Sequence, residues 1–321
     1  MTGMAVEGIG LVWSGGHGLD DLAARARDML AGTATPADVR AETDSLKNYL
    51  PTRALRRMDH FTRMTLLAAF EAARDAGLDA TALASTGIVL ATGYGPAALT
   101  FEFLDSMIDF GPDMASPQAF AHSVHNIPAA TVAVSLKLTG PCTTIGQIDT
   151  AVPAALLTAQ AWLREGRVDR VLLGASDEYT NLLRAVAPRL AAGVSGTIAG
   201  RRHLPPGDGA AFFCLHPDPA RARHGIVRDI ALGTTPILTP ERATFLSGCL
   251  TGHHDPSKNM HAFAPVYGSL PVAMAFDIVL ATLAVNGRLE PTLRIQNAVQ
   301  CRTRDHDGLH GALTVTRRTA S

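Results

Sequence analysis

Four cysteines and twelve histidines are the side chains best suited to nucleophilic or metal chemistry in this 321-residue sequence. Cys142, Cys214, Cys249 and Cys301 are scattered, with no C-x-x-C pair and no close disulfide spacing. They read as reduced thiols of a cytoplasmic protein. His253, His254 and Asp255 stand together with His261 nearby, and His122 and His125 are one helical turn apart. Neither set brings a committed third ligand at a known spacing, which favours loop or packing roles over a metal site. Asp149 directly precedes Thr150 and an Ala/Leu-rich run, with Pro153 in the first turn. It reads as a helix N-cap, stabilised by ~1 kcal/mol beside the positive helix terminus. A chemical role for its carboxylate is the alternative. Arg164, Arg167 and Arg170 flank the far end of the same helix and read as a solvated face.

Short apolar runs alternate with Ala-rich amphipathic stretches, the pattern of an α/β fold. Residues 6–12 read as a first strand. At 57–76, RMDHFTRMTLLAAFEAARDA places Met58, Phe61, Met64, Leu67 and Ala68 on one helical face, and Gly77 ends the helix. A buried strand is expected at 87–91, and helices at 99–108 and 127–137. CTTIGQI at 142–148 has strand composition, 150–165 reads as a helix, and 169–174 as a second strand. Further strands are expected at 209–216, 226–232 and 311–316, with a helix at 276–285. Both halves hold an apolar strand feeding an Ala-rich helix, which suggests an internal two-fold repeat.

Composition narrows the functional classes. The formal net charge is −1 with no block of like charge, which argues against a nucleic-acid partner or a polybasic membrane patch. No window carries the apolar run that a membrane span needs. The first residues, MTGMAVEGIGLVWSGG, lack the basic and apolar regions of a signal peptide.

Several of these stretches, in their chain order, resemble the β-ketoacyl synthase family of the thiolase superfamily. RMDHFTRMTLLAAFEAARDAGLD resembles the family's early helix. GIVLATGYGP and then FEFLDSMIDFGPDMASPQAF are similar to its next strand, loop and dimer-contacting segment. SVHNIPAATVAVSLKLTGP and REGRVDRVLLGASDE match the segments before and after the nucleophile, and GDGAAFFCL the glycine-flanked strand that follows. The form SVHN is closest to shortened chain length factors of aryl polyene-type clusters. The resemblance runs from about residue 4 to 232.

The resemblance implies a thiolase-like αβαβα sandwich, with an N-terminal ketosynthase-like half at 1–216 and a truncated C-terminal half at 217–321. Active members need a cysteine at the start of the central helix, and ungapped counting from both sides puts Asp149 there. Cys142 stands well before that helix. Gln147 is two residues ahead of the position where chain length factors carry glutamine. The two decarboxylating histidines fall at Ser247 and Gly268, with Tyr267–Gly268 in place of G-H and Phe263 in place of a lysine. A glycine-rich gate becomes Asp305, His306, Asp307 and Gly308.

The catalytic set is therefore expected to be empty. The implied role is a non-catalytic subunit that pairs with an active ketosynthase, as a heterodimer or heterotetramer. It would complete the partner's acyl tunnel and set polyketide or polyene chain length. No metal or nucleotide cofactor is implied; the phosphopantetheine-linked acyl chain of an acyl carrier protein belongs at the partner. Phe103, Met107, Phe110 and Met114 are candidate tunnel or interface residues, with ordinary core as the alternative. Cys142, Thr143, Thr144, Ile145, Gly146 and Gln147 are expected in a strand that pairs across the dimer. The three arginines would then be an alternative docking surface for the acidic carrier protein. Two rival functions stay open: residual decarboxylase or acyltransferase chemistry on Asp149 or Cys142, and a homodimeric scaffold.

Overall fold

The computed structural model describes residues 3–33, 40–56, 58–185, 207–236, 242–295 and 297–318. Arg57, the first residue of the expected early helix, and most of the Gly/Ala/Arg-rich stretch up to 206 lie outside them. Eleven strands are hydrogen-bonded into one sheet: β1 (Met4–Trp13), β2 (Gly16–His17), β3 (Thr86–Thr92), β4 (Cys142–Gly146), β5 (Arg170–Asp177), β6 (Gly209–His216), β7 (Gly225–Gly233), β8 (Ala243–Leu246), β9 (Met260–His261), β10 (Ala298–Arg304) and β11 (His310–Thr316). Their order is β4-β3-β5-β6-β1-β7-β11-β10-β8-β9, with β2 a short hairpin partner of β1.

This order contains the internal repeat. Omitting β2, the first five strands lie in the order three-two-four-five-one, and β7 to β11 lie in the same order. In each set the first three positions are parallel and the remaining pairings antiparallel. The sets join where Met4, Ala5 and Val6 of β1 pair with Val227, Ile226 and Gly225 of β7.

Each set feeds a central helix, Ala151–Arg164 after β4 and Ala273–Val285 after β9. The first packs on β3 and β5 of its own half and on β7 and β11 of the other. All thirteen residues of the second are buried, as expected for a helix that is apolar on every side except at Asp277 and Thr282. The two central helices and the sheet faces around them form the main core, which includes Leu11, Trp13, Phe213, Phe245, Phe276 and Leu313.

The outer faces of the two halves differ. The helix His60–Asp75 lies against β1, whose Gly8 and Gly10 admit it: a Cβ on Gly10 would sit 2.1 Å from the Ala68 carbonyl oxygen. Asp59 caps this helix by accepting from the Thr62 N–H at 2.8 Å. Together with Ile127–Leu136 it covers an outer face built from Val12, Ile88, Leu90, Leu172 and Phe212. In the second half the corresponding strands carry Arg228, Gln300, Arg302, Arg304 and Thr314 in register. Among the described residues, the α-helices packed closely on those strands are the two central ones. The face is polar, yet Gln300, Arg302 and Thr314 on it are buried.

The expected elements are present with small shifts at their ends. The early helix begins at His60 rather than at 57, because Asp59 takes the cap. The strand expected through Ile148 stops at Gly146, so Gln147 lies beyond it. The helix Gly18–Leu30 and the strands β8, β9 and β10 had not been expected.

Candidate functional site

The turn between β4 and the central helix is a strained elbow. Ile148 adopts φ 36°, a left-handed conformation that costs a β-branched residue on the order of 1–3 kcal/mol. Asp149 follows it within the 3-10 turn Ile148–Thr150 and is 2% exposed. Thr150 is the residue that flanks the helix, and its hydroxyl donates to the Gln147 carbonyl at 3.2 Å. The N-cap expected of Asp149 is thus displaced by one residue, since the helix opens through a tighter turn.

A second carboxylate lies close by. Asp177, at the end of β5, accepts from the Thr92 hydroxyl at 2.8 Å and from the N–H groups of Gly93 and Tyr94, each at 2.9 Å. These bonds fix the loop after β3 over the elbow. A Cβ on Gly93 would stand 2.3 Å from Pro271 and 3.2 Å from the Ile148 Cα, so three segments meet there. Burial pushes Asp177 up to about 6 despite its hydrogen bonds, and the neighbouring Asp149 charge adds to the rise. Two buried carboxylates make the elbow electronegative, which disfavours both a thiolate and a developing oxyanion.

Ser247 and Gly268, where the sequence resemblance leads one to expect histidines, lie next to a third buried acid. Ser247, fully buried at the end of β8, donates its N–H to the Arg302 carbonyl at 3.0 Å. Gly268 adopts φ 86° and donates its N–H to the Ala264 carbonyl at 2.8 Å. Between them Asp277, in the middle of the second central helix, accepts from the Tyr267 hydroxyl at 2.7 Å. Burial raises Asp277 to about 7, opposed by the Tyr267 and Ser247 hydroxyls. Phe263, expected in place of a lysine, is fully buried. Among the described residues, no imidazole bonds to Asp277, Ser247 or Gly268. Sequence reasoning passed over Asp277, although it is the one charge in the run FDIVLATLAV.

The candidate tunnel residues are not core. The helix Ala97–Phe110 has no buried residue. Phe110 and Met114 are 71% and 70% exposed, and Ile108 and Val134 are 79% and 80% exposed. Phe103 and Met107 are half-buried, Phe103 stacking at an angle on Phe120 with centroids 5.4 Å apart. Among the described residues β4 pairs with β3 alone and ends the sheet. Cys142 and Gly146 are exposed on it, while Thr143, Thr144 and Ile145 are half-buried. Burial raises the Cys142 thiol, which lowers its reactivity at neutral pH.

The remaining candidates separate. Arg170 is held by Glu7 through a 2.8 Å bond and is 12% exposed, so it is removed from the surface expected for it. Arg167 pairs with Glu165 in the open. His254 accepts from the Ala262 N–H at 3.1 Å within a loop, and burial lowers His261 to about 4. Among the described residues, no group of three or more His, Cys, Asp or Glu is placed to hold a metal ion. Asp305 accepts from the Leu309 N–H at 2.8 Å and closes the β10–β11 hairpin. No helix of the described residues is long and apolar enough to cross a membrane.

A family model of the β-ketoacyl synthase N-terminal domain matches residues 5–195, more than half the chain. The chain belongs to the β-ketoacyl synthase family. The matched part contains Asp149 and ends before Ser247 and Gly268. A Streptomyces halstedii protein described as a polyketide beta-ketoacyl synthase 1 is 34% identical over 197 residues, 54% of this chain and 46% of that protein. The match thus spans about half the length of that relative. A type II polyketide ketosynthase solved with its acyl carrier protein, AntDE:AntF, superposes with a TM-score of 0.77 at 15% identity, covering 98% of this chain and 99% of that one. The ishigamide ketosynthase/chain length factor gives 0.71 at 17%, and a β-ketoacyl synthase from Burkholderia phymatum 0.71 at 14%, each covering both chains fully. These likenesses establish the thiolase-like ketosynthase fold.

Proposed function

We propose that this β-ketoacyl synthase relative is a non-catalytic, chain-length-factor-like subunit. It pairs with an active ketosynthase, completes that partner's acyl tunnel and limits polyketide or polyene chain length. The observation that carries the reading is the elbow itself. The strained turn that presents a nucleophile is kept, but it presents a buried carboxylate beside a second one. An acyl group on Asp149 would be a labile anhydride, and no imidazole stands at Ser247 or Gly268 to stabilise an enolate. The open edge of β4 and the apolar surface around Ile108, Phe110 and Met114 support a protein partner. In this reading Phe103 and Met107 face the acyl chain. The carrier protein's phosphopantetheine arm is loaded on the partner.

The test is co-expression with an intact ketosynthase encoded beside this chain. Copurification is expected, with condensation of malonyl units only by the pair. Ile108→Glu or Phe110→Glu is expected to abolish copurification while leaving the chain folded. Carbon dioxide release from malonyl carrier protein by the isolated chain would overturn the proposal. So would a stable symmetric dimer that ignores the ketosynthase.

A further inference from the structure

The polar face of β7, β11 and β10 gathers cations at one end. Arg302 pairs in register with Ala312, and Ala312 with Ala231. Two residues along, Arg304 pairs with His310, and His310 with Gly233. Alternate residues of a strand share a face, so these six stand together. Neighbouring strands are about 4.8 Å apart and alternate residues about 6.6 Å, which lets the three long side chains converge over the small ones. The 3-10 turn Gly248–His253 packs on β10, with its Leu250 in a small apolar cluster with Leu246, the register partner of Arg302.

Burial distinguishes this cluster from a solvated basic patch. The Nε of Arg304 and the Nδ1 of His310 are buried without a hydrogen-bond partner. Arg302 is only 8% exposed; burial lowers its guanidinium, and no neighbouring carboxylate opposes that. Burial and then the Arg304 and Arg302 charges lower His310, so the three groups share one electrostatic environment. The acid that opposes this lowering, Asp305, accepts from the Leu309 N–H at 2.8 Å and makes no ion pair among the described residues. Buried cations without a counter-charge are costly. There is room for one to enter: a Cβ on Gly233, the register partner of His310, would meet no atom within 4 Å. A Cβ on Gly308, at the tip of the β10–β11 hairpin, would meet only the Arg304 Nη2, at 3.8 Å.

We propose that Arg302, Arg304 and His310 form an anion site for a phosphate group, free or carried by a small molecule. A dianion with three or four acceptor oxygens answers two guanidinium forks and an imidazole N–H, whereas a carboxylate brings one charge and two oxygens. The site does not depend on the chain-length reading.

Calorimetric titration of the full chain at fixed ionic strength tests this, with inorganic phosphate and glycerol 3-phosphate as probes and acetate as the monoanionic control. One saturable event is expected with each phosphate and none with acetate. Tighter glycerol 3-phosphate assigns the site to phosphate monoesters, and equal affinity to free phosphate. Arg302→Gln is expected to weaken phosphate at least about tenfold, the loss of one charge-assisted contact. Arg304→Gln, at a half-buried position, is expected to weaken it too, which separates binding from folding. Arg317→Gln, at an exposed cation outside the cluster, should change nothing. Unsaturable heat, acetate binding as tight as phosphate, equal loss in Arg317→Gln, or full affinity in Arg302→Gln would overturn the proposal.

Discussion

Asp277 makes a sharp test of the buried cluster, because its protonation is tied to stability. Its carboxyl is buried on a helix with no exposed residue, and its ordinary value of 3.8 rises to about 7. The folded chain therefore holds a proton at this site over a pH range in which the unfolded chain has released it. Folding is favoured below 3.8 and loses stability as pH climbs to about 7, at ~1.4 kcal/mol per pH unit. Between pH 5 and pH 8 the loss from this group is about 2–3 kcal/mol. Asp277→Asn mimics the protonated form, keeps an acceptor for the Tyr267 hydroxyl and cannot ionise. Urea unfolding of both proteins at the two pH values isolates the effect, since other titrating groups cancel in the difference. The variant is expected to gain on the wild type by that amount at pH 8, relative to pH 5. An equal stability difference at both values would refute an uncharged Asp277 in the fold.

The same logic runs in the opposite direction at Asp75. Burial raises its pKa, but bonds from His224 at 2.6 Å and the Ile9 N–H at 2.8 Å, with the Arg223 charge, outweigh that and hold it below 3.8. This stability is present above pH 3.8 and lost as pH falls through the lowered value. Asp75→Asn is expected to cost about 1–2 kcal/mol at pH 7, with a smaller penalty at pH 3 in denaturant titrations. Gly10→Ala drives a methyl to within 2.1 Å of the Ala68 carbonyl oxygen. A loss of about 3 kcal/mol or more is expected, read as a drop in thermal midpoint, and a wild-type midpoint would contradict the close helix–strand contact. Asp149→Cys restores a thiol to the elbow. No decarboxylation of malonyl carrier protein is expected, because Ser247 and Gly268 supply no imidazole; measurable carbon dioxide release would show that the cluster can replace them.

Much of the fold was legible because hydrophobic period and punctuation carry it. The early helix, β3, β6, β11 and both central helices follow from apolar runs bounded by glycine, proline or a cap. Strands β8 and β10 were hidden for a physical reason. Gln300, Arg302 and Arg304 alternate with Val299 and Cys301 along β10, so a segment largely buried in the fold reads as polar loop, and β8 is only four residues long. The candidate site was legible in part. Asp149 follows from ungapped counting along the chain. Its companion Asp177 does not, because the two are brought together by parallel strands far apart in sequence.

By itself the sequence determined the local elements, the order of family-like segments and the absence of a cysteine where the central helix begins. It could do so because each depends on neighbours along the chain. Only the tertiary structure decided that Phe110 and Ile108 lie on an open surface rather than in the core. The apolar period is the same whether a helix face meets its own chain or a partner. The fold alone also brought Asp149 beside Asp177 and Tyr267 onto Asp277. The electrostatics of such sites follow from distance and burial, and neither is written in residue order.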